Sequence, residues 1–293
     1  MKELYRPLIV FLMIFEFLLF SASQLICQPN QQRTGNPRPV MGTGVVTHEN
    51  DDFEARLILA RVRIINAKDT LASGVHAYLV EGSNGALLID TDWGKGNLAE
   101  FVTSITKLPL TVVNTHGDPD HSGHNDQFEK VYIDPKDISL LRYKDNAVPL
   151  NDGHIFDLGD RKIEVISIPG HTPGHIALLD SDAKIIFTGD EVTISGTWMH
   201  IPRCTPLEVY LESMKKLKKR SGEFECCFGG HLQTPVDTHL LTEIIQNTEN
   251  ILAGKVPEVK TNAGRFGGEA LVARFDRSVI LYNKEKLWKN QQK

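Results

Sequence analysis

Two imidazoles and two carboxylates fall within six residues in Thr115-His116-Gly117-Asp118-Pro119-Asp120-His121, directly after the apolar stretch Leu110 to Val113. Nitrogen and oxygen donors mixed in this way suit borderline divalent cations: zinc first, iron or manganese where oxygen weighs more heavily. Three further donors each close an apolar run. His171 follows Ile163 to Ile168 in Pro169-Gly170-His171-Thr172-Pro173-Gly174-His175, Asp190 ends Ile185-Ile186-Phe187-Thr188-Gly189-Asp190, and His231 ends Cys227-Phe228-Gly229-Gly230-His231. If those four strands share a sheet, every donor arrives at one edge, and strand-end loops are where a rigid scaffold presents chemistry. His48, His76, His154 and His239 lack that context and read as surface or satisfied core residues.

The elements that must position these donors alternate along the chain. Leu57 to Ile65, Ala77 to Val80 and Ala86 to Ile89 read as strands, with Glu81-Gly82-Ser83-Asn84-Gly85 as a turn. Apolar residues at spacings of three and four predict helices over Gly96 to Lys107, Pro135 to Tyr143, Pro206 to Arg220 and Val236 to Ala253. Ala270 to Phe275 and Ser278 to Tyr282 form a closing hairpin about Asp276-Arg277. Pro119 inside the donor loop fixes φ and removes a backbone donor, which stiffens the segment between Asp118 and Asp120.

From Leu57 to about Asn283 the chain resembles a metallo-β-lactamase-fold hydrolase. That family's pattern is His-x-His-x-Asp-His followed by a distant His, Asp and His, and the matching residues are His116, Asp118, Asp120, His121, His171, Asp190 and His231. Asp118 is the departure, standing where a second histidine is usual, and a hard carboxylate there favours iron or manganese more than three imidazoles would. The resemblance implies an α/β fold, an αββα four-layer sandwich with two divalent metal ions at one edge, zinc in the first instance. It assigns His116, Asp118 and His171 to one metal, Asp120, His121 and His231 to the other, and Asp190 to both. It also makes Asp120 the catalytic residue that orients a hydroxide, and Asp90 the carboxylate that hydrogen-bonds a ligand histidine.

The function so implied is an exported binuclear metal-dependent hydrolase, using a metal-bound hydroxide on an ester, lactone, lactam or related bond of a small-molecule substrate. Two alternatives stand beside it. A di-iron protein binding oxygen or nitric oxide is motivated by Asp118, since flavodiiron relatives carry a carboxylate there, although the chain has no length for a flavin domain. A metal-stabilised binding protein without turnover is the other. Trp93, Trp198, Met199 and His200 flank the site and serve either as substrate walls or as loop packing.

Net charge is −5, and the basic residues are dispersed apart from Lys215, Lys216, Lys218, Lys219 and Arg220 at the end of a predicted helix, which argues against a nucleic-acid partner. Lys2 and Arg6, the apolar run Leu8 to Phe20 and Ser21-Ala22-Ser23 read as a signal peptide over residues 1–23, with an uncleaved membrane anchor as the alternative. Residues 24–50 read as a flexible linker and residues 51–293 as the catalytic domain, located outside the cell or in the periplasm. Four cysteines, Cys27, Cys204, Cys226 and Cys227, are too few for a disulfide scaffold.

Overall fold

Runs such as Ala86-Leu87-Leu88-Ile89 and Ile185-Ile186-Phe187 have no polar face, so each demands burial on both sides of a sheet. The computed structural model, which describes residues 44–69, 74–263 and 267–290, supplies that burial. Eight strands form the first sheet in chain order: β1 (Val45–Glu49), β2 (Phe53–Leu59), β3 (Val62–Ala67), β4 (Ala77–Glu81), β5 (Ala86–Ile89), β6 (Leu110–Val113), β7 (Val131–Ile133) and β8 (Ala147–Pro149). The first five are antiparallel and β5 to β8 are parallel.

The second sheet holds β9 (Ile155–Asp157), β10 (Lys162–Ser167), β11 (Ile176–Asp180), β12 (Ile185–Gly189), β14 (Cys226–Gly229) and β15 (Val236–Asp237), in the order β15-β14-β12-β11-β10-β9. A smaller sheet, β13-β18-β17-β16, is made from β13 (Thr197–Met199), β16 (Val259–Asn262), β17 (Glu269–Phe275) and β18 (Ser278–Tyr282).

Strand alternation sorts the side chains into layers. Leu87 and Ile89 of β5 face Ile185 and Phe187 of β12 and Phe228 of β14 in the core between the sheets. Ala86 and Leu88 turn the other way, onto Leu98, Phe101 and Val102 of helix α1 (Leu98–Ile105). Ile186 and Cys227 turn outward onto helices α3 (Leu207–Lys219) and α4 (His239–Leu252), through Met214, Leu217, Leu241 and Ile244, and onto Ala273 and Ile280 of the small sheet. The four-layer αββα sandwich is therefore observed, with the small sheet joining one helical layer.

Each half carries a parallel strand pair joined by a helix-bearing crossover: β5 to β6 through α1, and β12 to β14 through α3. The carboxyl ends of these strands are the natural site of chemistry in such sheets. Asp90 follows β5, His116 to His121 follow β6, Asp190 follows β12 and His231 follows β14.

Several elements differ from expectation. The single strand Leu57 to Ile65 is two strands, β2 and β3, because Arg61 takes φ 59° and reverses the chain. The helix expected over Pro135 to Tyr143 is a short 3-10 turn, Ile138–Leu140, because the Asp137 side chain is drawn out of it into the donor loops. The helix expected from Val236 starts at His239, since Val236 and Asp237 pair with β14 as β15.

β1 falls inside the stretch 24–50 read as linker. Its backbone pairs with β2 while Val45 and Val46 stay exposed, so hydropathy gave no sign of it. The expected signal peptide, and the linker as far as Thr43, lie outside the described residues. Among the described residues no helix is long and apolar enough to cross a membrane.

Candidate metal centre

The loop after β6 builds half of the site. Asp118 is extended (φ −66°, ψ 145°), as a residue before proline prefers, and Pro119 occupies the first position of a one-turn helix, α2 (Pro119–Ser122), where its missing N–H costs nothing. This turn brings His121 back beside His116, with ring centroids 4.3 Å apart. His171 lies 5.4 Å from His116 and His231 lies 5.1 Å from His121, centroid to centroid.

Asp190 stands between the two sets. Its Oδ1 is 3.2 Å from His121 Nε2, and its Oδ2 is 3.2 Å from His231 Nε2 and 3.8 Å from His171 Nε2. Asp120 Oδ2 is 3.5 Å from His231 Nε2. Asp118 Oδ2 is 3.0 Å from His171 Nε2 and 3.8 Å from His116 Nε2. Two groups thus have ligand atoms mutually within 4.8 Å: His116, His171 and Asp190, and Asp120, His121 and His231. Six of the seven residues singled out in the sequence make up these groups, and the seventh, Asp118, stands beside the first through His171.

Hydrogen bonds behind the rings fix which nitrogen faces inward. Asp90 takes φ 62°, a left-handed conformation that Asp tolerates better than most residues. Its carboxylate accepts from Thr115 N, from Thr115 Oγ1 and from His121 Nδ1 at 2.9 Å. Thr115 Oγ1, having donated to Asp90, accepts from His116 Nδ1. His171 Nδ1 donates to the Trp198 carbonyl at 2.7 Å. His116, His121 and His171 consequently all present Nε2 to the centre, and buried His116 Nε2 finds no hydrogen-bond partner. That orphaned lone pair, among acidic oxygens, fits a cation.

The charges agree. Burial pushes His116 well below the usual histidine range, reinforced by its neighbours His121 and His175. Burial would do the same to His121, but Asp190, Asp90 and Asp120 outweigh it and hold its pKa well above that range. His171 and His231 are likewise raised against burial, by Asp118 and Asp190 respectively among other contacts. Asp190 is held well below the carboxylate range because His231 and His121 overcome its burial.

Several contributors were not singled out in the sequence. Asp137, fully buried, accepts from Gly117 N at 3.0 Å, Thr172 Oγ1 at 2.5 Å and Gly174 N at 2.7 Å, tying the loop of His116 to the loop of His171. His175 stacks on His116 with centroids 4.6 Å apart, and its Nε2 accepts from Asp190 N. Glu191 accepts from His171 N, and burial pushes its carboxyl up to about 8. Arg203 is paired with Asp118. His175 sat in a quoted motif; Asp137, Glu191 and Arg203 carried no signal in spacing.

Of the flanking residues, Met199 is core, His200 bonds the Gly267 carbonyl, and Trp198 contributes its carbonyl to His171 and to Cys204 Sγ. His76 is a buried histidine bonded to Asn66, as expected for a satisfied core residue.

A sequence model of the Metallo-beta-lactamase superfamily matches residues 71–231. Acyl-coenzyme A thioesterase MBLAC2 of Gallus gallus is 30% identical over 198 residues, covering 53% of this chain and 71% of the relative. The probable polyketide biosynthesis zinc-dependent hydrolase PksB of Bacillus subtilis (strain 168) is 25% identical over 183 residues, covering 59% and 79%. Among solved structures, a metallo-beta-lactamase from Pontibacter korlensis superposes with a TM-score of 0.58 at 22% identity over 68% of this chain and 99% of its own, which speaks to the fold alone.

Proposed function

The chain belongs to the metallo-β-lactamase superfamily and is a metal-dependent hydrolase of it; from that premise we propose that it cleaves acyl thioesters or related esters with two zinc ions. His116 and His171 with Asp118 would hold one ion, Asp120, His121 and His231 would hold the other, and Asp190, which lies against both sets, would serve either. The observation that carries this reading is the convergence of four imidazole Nε2 atoms on three carboxylates. Such a pair of ions, when bound, brings the pKa of a coordinated water toward neutrality and polarises an acyl oxygen.

The protein's own residues set the direction of approach. The side chains of His116, His121, His171 and Asp118 are at most 5% exposed, whereas Asp120 and His231 are 30% and 31% exposed. A substrate would approach over the more exposed Asp120 and His231, where Asp120 would orient a nucleophilic water. The acyl group is supported by relatives named as an acyl-coenzyme A thioesterase and an atrochrysone carboxyl ACP thioesterase. Zinc is supported by the relative named as a zinc-dependent hydrolase. The di-iron alternative keeps its motive, the carboxylate of Asp118, although that carboxylate is paired with Arg203. Export is supported by the apolar run Leu8 to Phe20.

The test is metal content per chain by mass spectrometry, alongside hydrolysis of an acyl-coenzyme A thioester, an aryl ester, a lactone and a β-lactam. Two zinc ions with acyl cleavage that vanishes in Asp120→Ala is the expected result. Two ions without cleavage of any of the four overturns the hydrolase reading, and two irons with reductant-driven oxygen consumption favours the redox alternative.

A further inference from the structure

Asp118 places a carboxylate where the superfamily pattern has an imidazole, adding one negative charge to the first metal group. The structure pairs that charge with a positive one. Arg203 Nη2 donates to Asp118 Oδ2, the same oxygen that lies 3.0 Å from His171 Nε2. The Arg203 side chain is 34% exposed but rises from an anchored base. It stands on the turn between β13 and α3, whose flanking Ile201 and Cys204 are buried. Lys286 Nζ pins that turn by donating to the carbonyls of Pro202 and Cys204. Arg203 Nε is itself buried and finds no hydrogen-bond partner, so the fork is held by Asp118 and by its loop.

We infer that Arg203 is a specificity-determining residue of the first metal group: the Asp118–Arg203 pair acts as a charge-neutral substitute for the missing histidine, keeping the group selective for zinc over harder cations. The inference rests on the metal-holding reading above. Its physical basis is additive. Asp118 alone makes the group more anionic and harder, which raises affinity for any dication and favours manganese or iron. A guanidinium in contact with that ligand cancels the extra charge, and the carboxylate still has further lone pairs to offer a cation. Coulomb's law makes a unit charge at this range worth about tenfold or more in dication affinity, even at the dielectric of water.

The experiment is a chelator-competition titration of Zn2+ and Mn2+ on the full chain, with ions per chain counted by mass spectrometry. It compares the wild type with R203M, R203K, D118H and D118H/R203M. No substrate enters the readout. R203M is expected to bind the first ion about tenfold or more tightly than wild type and to lose part of its preference for zinc over manganese. D118H, with an uncompensated guanidinium beside an imidazole, is expected to bind about tenfold more weakly. D118H/R203M should return to within about threefold of wild type, and R203K, keeping the charge without the fork, should do the same.

Wild-type uptake of two ions with R203M at or below wild-type affinity overturns this inference alone, because Arg203 would then merely hold Asp118 in place. An unchanged affinity in D118H also overturns it. A wild-type chain that takes up no dication overturns both the inference and the hydrolase reading.

Discussion

Replacing Asp137 by alanine is expected to cost stability and metal affinity together, although Asp137 is no candidate ligand. Its carboxylate accepts three hydrogen bonds, from Gly117 N, Thr172 Oγ1 and Gly174 N, at 3.0, 2.5 and 2.7 Å. Hydrogen bonds to a charged acceptor contribute about 1.5–3 kcal/mol each, and a buried donor left unpaired costs about 1–3 kcal/mol. Against this stands the cost of burying the carboxylate, which raises its pKa. The balance for Asp137→Ala is a loss of about 3–5 kcal/mol, a large share of the roughly 5–15 kcal/mol typical of a whole domain. Because the three donors sit on the loops of His116 and His171, their release should also weaken zinc binding by about 10–100-fold, as for other supports behind metal ligands.

Urea unfolding of the metal-free chain, followed by zinc competition against a chelator, measures both quantities. Asp137→Asn keeps one acceptor oxygen but turns an NH2 toward a donor, so it should fall between wild type and alanine. A loss below about 1 kcal/mol with unchanged zinc affinity would refute the idea that this carboxylate clasps the two loops.

Other perturbations test the same geometry. A Cβ on Gly230 would lie 2.4 Å from His121 Cε1 and 2.8 Å from Asp190 Oδ1, so Gly230→Ala should empty the second metal group; mass spectrometry showing two ions would contradict this. Asp90→Ala frees His121 Nδ1 and Thr115, and a 10–100-fold loss of zinc affinity is expected. The pKa values of His121, His171 and His231 are raised in the folded, metal-free chain, so the stability they contribute is full below about pH 6.5 and is lost as pH rises through their folded values. Buried Asp92, pushed up to about 7, and Glu191, pushed up to about 8, act in the same direction but from lower pH, since each loses stability from the ordinary carboxylate range up to its folded value. The metal-free chain should therefore become easier to unfold by urea above about pH 6.5 while zinc affinity climbs, since binding must displace those protons. A flat stability profile over that window would count against the charge assignment.

The seven candidate donors were legible because they fall at the ends of four apolar runs, four of them in the loop after Leu110 to Val113, and a run that stops at a carboxylate or imidazole marks a strand end whatever the partner strands are. The central strands and helices α1 and α3 were legible for the same reason, since their side-chain periods declare which faces are buried. The edge strand β1 was not, because its pairing is by backbone and its valines remain exposed. The helix expected at Pro135 to Tyr143 failed at Asp137, whose side chain is committed to a loop 20 residues earlier in the chain and to another 35 residues later.

Sequence by itself therefore determined which atoms could bind a metal and that they lie at strand ends. Tertiary structure alone decided how they are aimed and charged. The tautomers follow from Asp90, Thr115 and the Trp198 carbonyl, the coupling of the two loops follows from Asp137, and the net charge at Asp118 follows from Arg203, 85 residues away in sequence. These contacts are made by single polar groups that carry no periodicity, so only the folded arrangement brings them into view.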